Sequence, residues 1–497
     1  MARALNRIPS LRRSLEAATT YAEWLDVATE LDGLEGGAEW RADDSSTVYR
    51  TEVLRDAVTE LTTALRHGQP LTLIDTLHAS LHRHQTEVLD PALYQRSRVG
   101  TKRLVEAYLD QVVEAVHHLC DVDLPGVTDA QRLALVEREA HNVGRSALML
   151  SGGATLGLFH IGVVKALWEA DLLPTIVSGA STGSMIAGGL CTRTRAELEP
   201  IFADPVAHID TRVFRLLGLR EMRERKVAMS QEQLYQAISA NMGDDTFREA
   251  FERTGRMLCI SVTSTRAQQK PRLLSAITAP DVLVRSASLA SCAIPGLFPP
   301  GALFQRRDGA ATEYVAGERW IDGTVEGDLP AERLARLLNV NHAIVSQTNA
   351  HLVPFAHARN RTGPLPLVTD LVSSTVHAQG LQLLDVARRH VKAQWAQRLL
   401  ERAHGAADQR FMGDITIAPH ATAWNYGVIF RNASPQALRR LIAQGERATW
   451  PRLHVIRAQT RLSRALEACV TKLTARVAAH APGSGRKGAT VLTPERG

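Results

Sequence analysis

A serine with a glycine two positions before it and another two positions after it stands in Gly179-Ala180-Ser181-Thr182-Gly183. A serine hydroxyl is a weak nucleophile; it has to be exposed, oriented and given a base. A tight strand-to-helix turn exposes it, and small neighbours leave room for the bend. The helix that follows brings its N–H groups and positive dipole end close to the oxygen. Acyl transfer through Ser181 is the chemistry that such a turn supports. The pentapeptide is also common by chance, and a plain turn in an α/β domain is its other reading.

Upstream lies Ser151-Gly152-Gly153-Ala154-Thr155-Leu156-Gly157. A glycine loop at a strand end turns backbone N–H groups into one space, where they cradle a phosphate or stabilise an oxyanion. The spacing does not fit G-x-G-x-x-G, the next strand candidate ends in Ser178 rather than an acidic residue, and no Gly-Lys-Ser/Thr follows. Dinucleotide and Walker A readings therefore fall behind an oxyanion hole formed by this loop. The loop and the serine turn follow strands expected to be adjacent.

The base is harder to read. Eighteen histidines make no single one informative. His160, one turn beyond the glycine loop, is either a triad base or a helix residue packed under the sheet. Asp322, in Arg319-Trp320-Ile321-Asp322-Gly323-Thr324, follows an apolar pair at a candidate strand end. A carboxylate bonded to the serine hydroxyl can act as general base if an apolar site raises its pKa. A lone Asp-Gly pair is more often the mark of a hairpin turn.

The elements that must position these residues are legible as patterns. Ala147 to Leu150 is a short apolar run, as in a strand buried on both faces. A helical segment from Leu158 to Ala170 follows, then a second strand from Pro174 to Ser178 and a small-residue helix from Ser184 to Leu190. That order is a βαβ unit of a parallel sheet with functional loops at the strand ends. Further strands are expected at Met257–Thr263, Ala343–Ser346 and Asp414–Ile417, with a Pro/Gly-rich loop from Leu289 to Pro300. Residues 1 to about 140 carry helical spacing, as do Leu367–Leu400 and Pro435–Arg476. The tail 481–497 is polar and reads as disordered.

With 497 residues the chain is too long for one core. The net charge of +6 is compatible with anionic membrane surfaces, and no basic run interleaved with aromatics points to nucleic acid. The five cysteines are scattered, without CxxC or Cys/His metal spacing, and read as buried free thiols in a reducing compartment. No signal-peptide pattern and no run of about 20 apolar residues occurs. The expected location is cytoplasmic, with attachment to membranes only at their surface.

Taken in order, Gly152 to Gly157, Gly179 to Gly183, the stretch Ala290 to Pro300, Asp322-Gly323-Thr324 and Asn341 to Gln347 resemble the patatin-like phospholipase family. Residues 15 to 120 resemble the helical region before the patatin domain in a subgroup of yeast and plant triacylglycerol lipases. The matching segments are Thr20-Tyr21-Ala22-Glu23-Trp24, Leu93 to Ser97 and Gly100 to Tyr108. The resemblance implies a three-layer α/β fold with a mostly parallel central sheet, flanked by helical N- and C-terminal regions. Its expected divisions are 1–140, 141–355, 356–480 and a tail. It further implies a Ser181–Asp322 dyad, an oxyanion hole at Gly152, Gly153 and Ala154, and a nucleophile elbow framed by Gly179 and Gly183. No metal or organic cofactor is implied. The implied substrate is a glycerolipid ester at a membrane or lipid-droplet surface, with phospholipids as the alternative to acylglycerols. A non-catalytic lipid-binding scaffold is the alternative of another class. Two departures stand out: Ser151 takes the place of the family's first glycine, and Leu156 the place of a frequent cleft cation.

Overall fold

The structure, a computed structural model, describes residues 6–67, 70–122, 124, 126–266, 271–323, 329–350, 352–353 and 413–480. The expected helix within Leu367–Leu400 and the tail 481–497 lie outside the described residues. The chain forms two compact units, each assembled from two stretches: 1–35 with 146–456, and 36–145 with 457–497. The stretch 1–140 is therefore divided between the two.

The first unit is built on a sheet. Its strands are β1 (Arg145–Leu150), β2 (Ile176–Gly179), β3 (Met257–Ser264), β4 (Arg272–Leu274), β7 (Trp320–Asp322), β8 (Val340–Ser346) and β9 (Ile415–Ile417), and β5 (Phe304–Arg307) and β6 (Ala310–Glu313) form a separate hairpin. The order is β4-β3-β2-β1-β8-β9, with β7 also paired to β3. The β1–β2, β2–β3 and β8–β9 pairs are parallel, while β4 and β7 run antiparallel to β3.

The apolar runs are explained by burial on both faces. Ala147 and Met149 of β1, Ile176 of β2 and Met257 and Cys259 of β3 share one core cluster with Leu334 and Leu338 of the helix Ala331–Leu338. Leu148, Leu150, Val177 and Leu258 are buried as well. Helix Phe159–Glu169 packs against helix Pro435–Thr449. All five cysteines are buried free thiols.

Two features differ from expectation. The helix Val284–Ser291 runs into the stretch read as a loop from Leu289. Its small, hydroxyl-bearing residues suit close packing on the helix Thr182–Cys191, and the Ser288 hydroxyl donates to the Ser184 carbonyl. The β5–β6 hairpin was not anticipated. Its turn is Asp308-Gly309, both at positive φ (51° and 80°), as a two-residue hairpin turn requires. The hairpin Asp-Gly is thus this pair, whereas Asp322 ends the paired strand β7.

The second unit is helical. Helices Thr51–His67, Pro70–Val88, Arg103–Asp121 and Asp129–Val143, with residues 457–480, make up most of its described part. The spacing of buried Val105, Tyr108, Val112, Val116 and Leu119 puts one apolar stripe along Arg103–Asp121. Thr128 and Gln131 form a capping box at the start of the last of these helices.

Candidate active site

Ser181 sits where β2 gives way to the helix Thr182–Cys191, with φ 51° and ψ −127°. A non-glycine residue in such a conformation costs about 1–3 kcal/mol and persists only where its surroundings enforce it. The surroundings are visible. The Ala180 N–H donates to the Leu150 carbonyl at 3.2 Å, and the Ser184 N–H and hydroxyl donate to the Ser181 carbonyl at 2.8 and 2.6 Å. A Cβ on Gly183 would lie 2.2 Å from the Leu150 carbonyl oxygen, so only glycine lets the helix start this close to β1.

A second anchor comes from a residue whose role is invisible in the sequence. The hydroxyl of Ser291, fully buried, accepts the Ser181 N–H at 3.0 Å and donates to the Ser261 carbonyl on β3 at 2.8 Å. Two residues further on, the Ala293 carbonyl accepts the Asp322 N–H at 3.1 Å. Between them, Cys292 is kept a neutral thiol by burial and by the charge of Asp322, and it lies in hydrogen-bonding reach of the Ser181 and Ser184 hydroxyls. The short bridge Ser291-Cys292-Ala293 thus brings Ser181 and Asp322 to one place, from positions 141 residues apart in the chain. Asp322 is wholly buried, in register with Val262.

The glycine loop occupies the other side. Among the described residues, no acceptor takes the N–H of Gly153 or Ala154. The Gly152 carbonyl is bound by the hydroxyls of Ser151 and Thr348, at 2.9 and 2.8 Å. A Cβ on Gly153 would meet the Thr348 hydroxyl at 2.3 Å. Ser151 keeps out of the left-handed region, so its replacement of a glycine costs the loop nothing in backbone strain. Ala154, by contrast, takes φ 49°.

His160 is a buried helix residue that holds this loop. Its Nε2 faces the Ser151 carbonyl at 2.9 Å and must carry the proton, because a carbonyl only accepts. Nε2–H is shared with the Thr348 hydroxyl at 3.1 Å, and Nδ1 accepts from Ser346 at 2.7 Å. Burial pushes its pKa down to about 4, against the effect of the Ser151 bond. The imidazole is neutral and both nitrogens are committed to the loop and β8. Thr155 is fixed by a segment distant in sequence: its N–H bonds the Ile429 carbonyl at 2.9 Å and its hydroxyl the Arg431 carbonyl at 2.6 Å.

An apolar cleft, partly open to solvent, begins beside both loops. Ala154 and Thr182 line it at that end, and Met185, Ile186, Phe202 and Phe214 line it elsewhere. In the second unit, His78, His82 and Glu139 bring potential ligand atoms within 4.8 Å of one another. His78 Nδ1 bonds Glu139 Oε1 at 2.7 Å, and the His78 and His82 rings meet edge to face at 4.4 Å. Among the described residues, no helix is long and apolar enough to cross a membrane.

Comparison with known proteins bears on both units. The family profile described as patatin-like phospholipase matches residues 148–335, and a domain of unknown function, DUF3336, matches residues 1–139. Triacylglycerol lipase SDP1L of Arabidopsis thaliana is 33% identical over 93% of this chain and 58% of its own length. Triacylglycerol lipase 5 of Saccharomyces cerevisiae is 28% identical, over 95% of this chain and 66% of its own. Triacylglycerol lipase ptl2 of Schizosaccharomyces pombe is 30% identical, over 92% of this chain and 74% of its own. The chain thus spans between about half and three quarters of the length of these relatives.

Proposed function

Since the chain belongs to the patatin-like phospholipase family, we propose that it hydrolyses carboxylic esters of glycerolipids, with Ser181 as nucleophile and Asp322 as its base. The observation that carries this reading is the bridge Ser291 to Ala293, which binds the strained serine at one end and the buried aspartate at the other. Ser181 Oγ attacks the acyl carbonyl while its proton passes to Asp322. The N–H groups of Gly153 and Ala154, with that of Gly152, stabilise the tetrahedral oxyanion. Loss of one such donor costs roughly 100- to 1000-fold in rate. Asp322 then returns the proton to the leaving alcohol, and the acyl group stays on Ser181. Water, deprotonated by Asp322, attacks the acyl-enzyme; Ser181 regains its proton as the fatty acid leaves. Gly179 and Gly183 frame the turn that makes this attack geometrically accessible.

Triacylglycerols are the favoured substrate, because all three relatives named above are called triacylglycerol lipases. The cleft offers one acyl chain an apolar wall beginning at Ala154 and Thr182. Such substrates are presented at a membrane or lipid-droplet surface, so the protein is a peripheral visitor there. Products from mixed glycerolipids, profiled for wild type and Ser181→Ala, test the reading. The serine variant is expected to lose at least roughly a thousand-fold in activity and Asp322→Asn a comparable amount, both remaining folded. Near-normal turnover by Asp322→Asn would remove the aspartate from the mechanism; diacylglycerols absent from the wild-type products would remove triacylglycerols as substrate.

A further inference from the structure

The chain leaves the site on an arm that the reaction does not use. Arg215 to Ser230 goes out and returns: the Leu217 N–H bonds the Ala228 carbonyl at 3.0 Å, and the Ser230 N–H bonds the Arg215 carbonyl at 2.9 Å. The returning strand is fixed to the loop before the aspartate, through Ala228 N–H to Gly296 at 3.2 Å and Met229 N–H to Leu297 at 2.9 Å. At the tip, the helix Leu219–Arg225 buries no residue.

What this arm exposes is unusual for a soluble surface. Leu219 is 87% exposed and Leu216 67%, and Phe430, 54% exposed, stands nearby in the chain segment that fixes Thr155. The Phe430 ring meets that of Phe214 at 6.2 Å, and Phe214 lines the cleft. Asn432 ties the two segments, accepting the Phe214 N–H at 2.7 Å and donating to its carbonyl at 2.8 Å. Apolar surface thus continues from the cleft to the outside. The charge around it is net positive. Residues 210–226 hold six arginines and lysines against three acids, and Arg223 and Lys226 are exposed with no ion-pair partner among the described residues.

Isolated exposed leucines need no explanation, but leucines on a projecting cationic arm beside an apolar cleft do. We infer that this arm, with Phe430, docks the protein on an anionic lipid layer and presents the cleft to it. The proposal rests on the lipid-ester reading of the same site. Apolar side chains enter the acyl boundary, while arginines and lysines are held by the negative surface potential of the layer. The occupant follows from charge: a neutral or cationic partner would not use the excess of arginine.

Full-length Ser181→Ala protein, which leaves lipid intact, is floated with phosphatidylcholine vesicles with and without phosphatidylserine. Binding is expected to be at least about ten-fold tighter with phosphatidylserine. Leu219→Glu should weaken it by about ten-fold or more, and Arg220→Glu with Arg223→Glu should erase the preference for phosphatidylserine. In the otherwise wild-type chain, Leu219→Glu should hydrolyse a soluble short-chain ester as well as its parent. Vesicle binding that is unchanged by both variants, or equal on neutral and anionic vesicles, overturns the docking surface. Failure of the wild type on the soluble ester overturns the enzymatic reading instead and leaves vesicle binding to stand or fall alone.

Discussion

Two buried polar knots flank the candidate site, and they are built from different chemistry. On the glycine-loop side, a neutral imidazole, His160, gathers Ser151, Ser346 and Thr348. On the nucleophile side hydroxyls hold the backbone: Ser291 joins Ser181 to Ser261, and Ser184 closes on the Ser181 carbonyl. Both satisfy backbone groups that would otherwise be buried unpaired, at about 1–3 kcal/mol each. The difference is that an imidazole makes the bonds of the first knot, whereas hydroxyls make those of the second. The bonds that hold the glycine loop should therefore sense acid directly, and the hydroxyl bonds that hold the elbow should not.

The largest effect should come from removing the ring. His160→Ala leaves a cavity and strips partners from Ser151, Ser346 and Thr348, and should cost about 3–5 kcal/mol. Chemical denaturation measures it; a loss under 1 kcal/mol would show that the loop does not depend on the imidazole.

Acid comes next. The folded pKa of His160 is depressed to about 4 from an ordinary 6.5, so below 6.5 the unfolded chain takes up a proton that the folded one refuses. The stability tied to this group is complete above pH 6.5 and declines as pH falls toward 4, by about 3 kcal/mol in all. Wild type and His160→Phe, compared by urea unfolding across that window, should differ in slope, with the wild type losing more. Equal slopes would mean that the histidine is not buried neutral.

Ser291→Ala is the smallest of the three in stability, at about 1–3 kcal/mol, since one buried donor and one acceptor lose a partner. Its second readout separates positioning from bulk packing. Freed of its anchor, the Ser181 backbone should relax from its strained conformation and kcat should fall about ten-fold with KM little changed. Ser291→Thr, which keeps the hydroxyl, should recover part of that loss. A change confined to stability would make Ser291 a packing residue only.

How far the site could be read from sequence differs in the same way between its parts. Ser181, Gly152, Gly153, Ala154 and Asp322 belong to local patterns, where residue type and spacing prescribe a turn or a strand end. The apolar runs of β1, β2 and β3 were legible because burial on both faces leaves no polar position in them. Ser291, Ser346 and Thr348 carried no such mark. A serine that bonds a distant backbone has the same local appearance as one in solvent, and the helix Val284–Ser291 was obscured by the prolines and glycines that follow it.

By itself, the sequence determined the backbone devices of this protein: a glycine loop, a sharp serine turn and the strands that carry them, because each is a constraint between near neighbours. Only the tertiary structure decided which Asp-Gly pair is a hairpin turn and which a strand end. It also decided that His160 is structural and that Ser291 joins elbow and sheet. Those outcomes depend on a packing that brings Ser181 to Ser291 and His160 to Ser346, pairs more than a hundred residues apart, into hydrogen-bonding range. Hydrogen bonds of that reach are fixed by the packing of the whole sheet, and no local pattern encodes them.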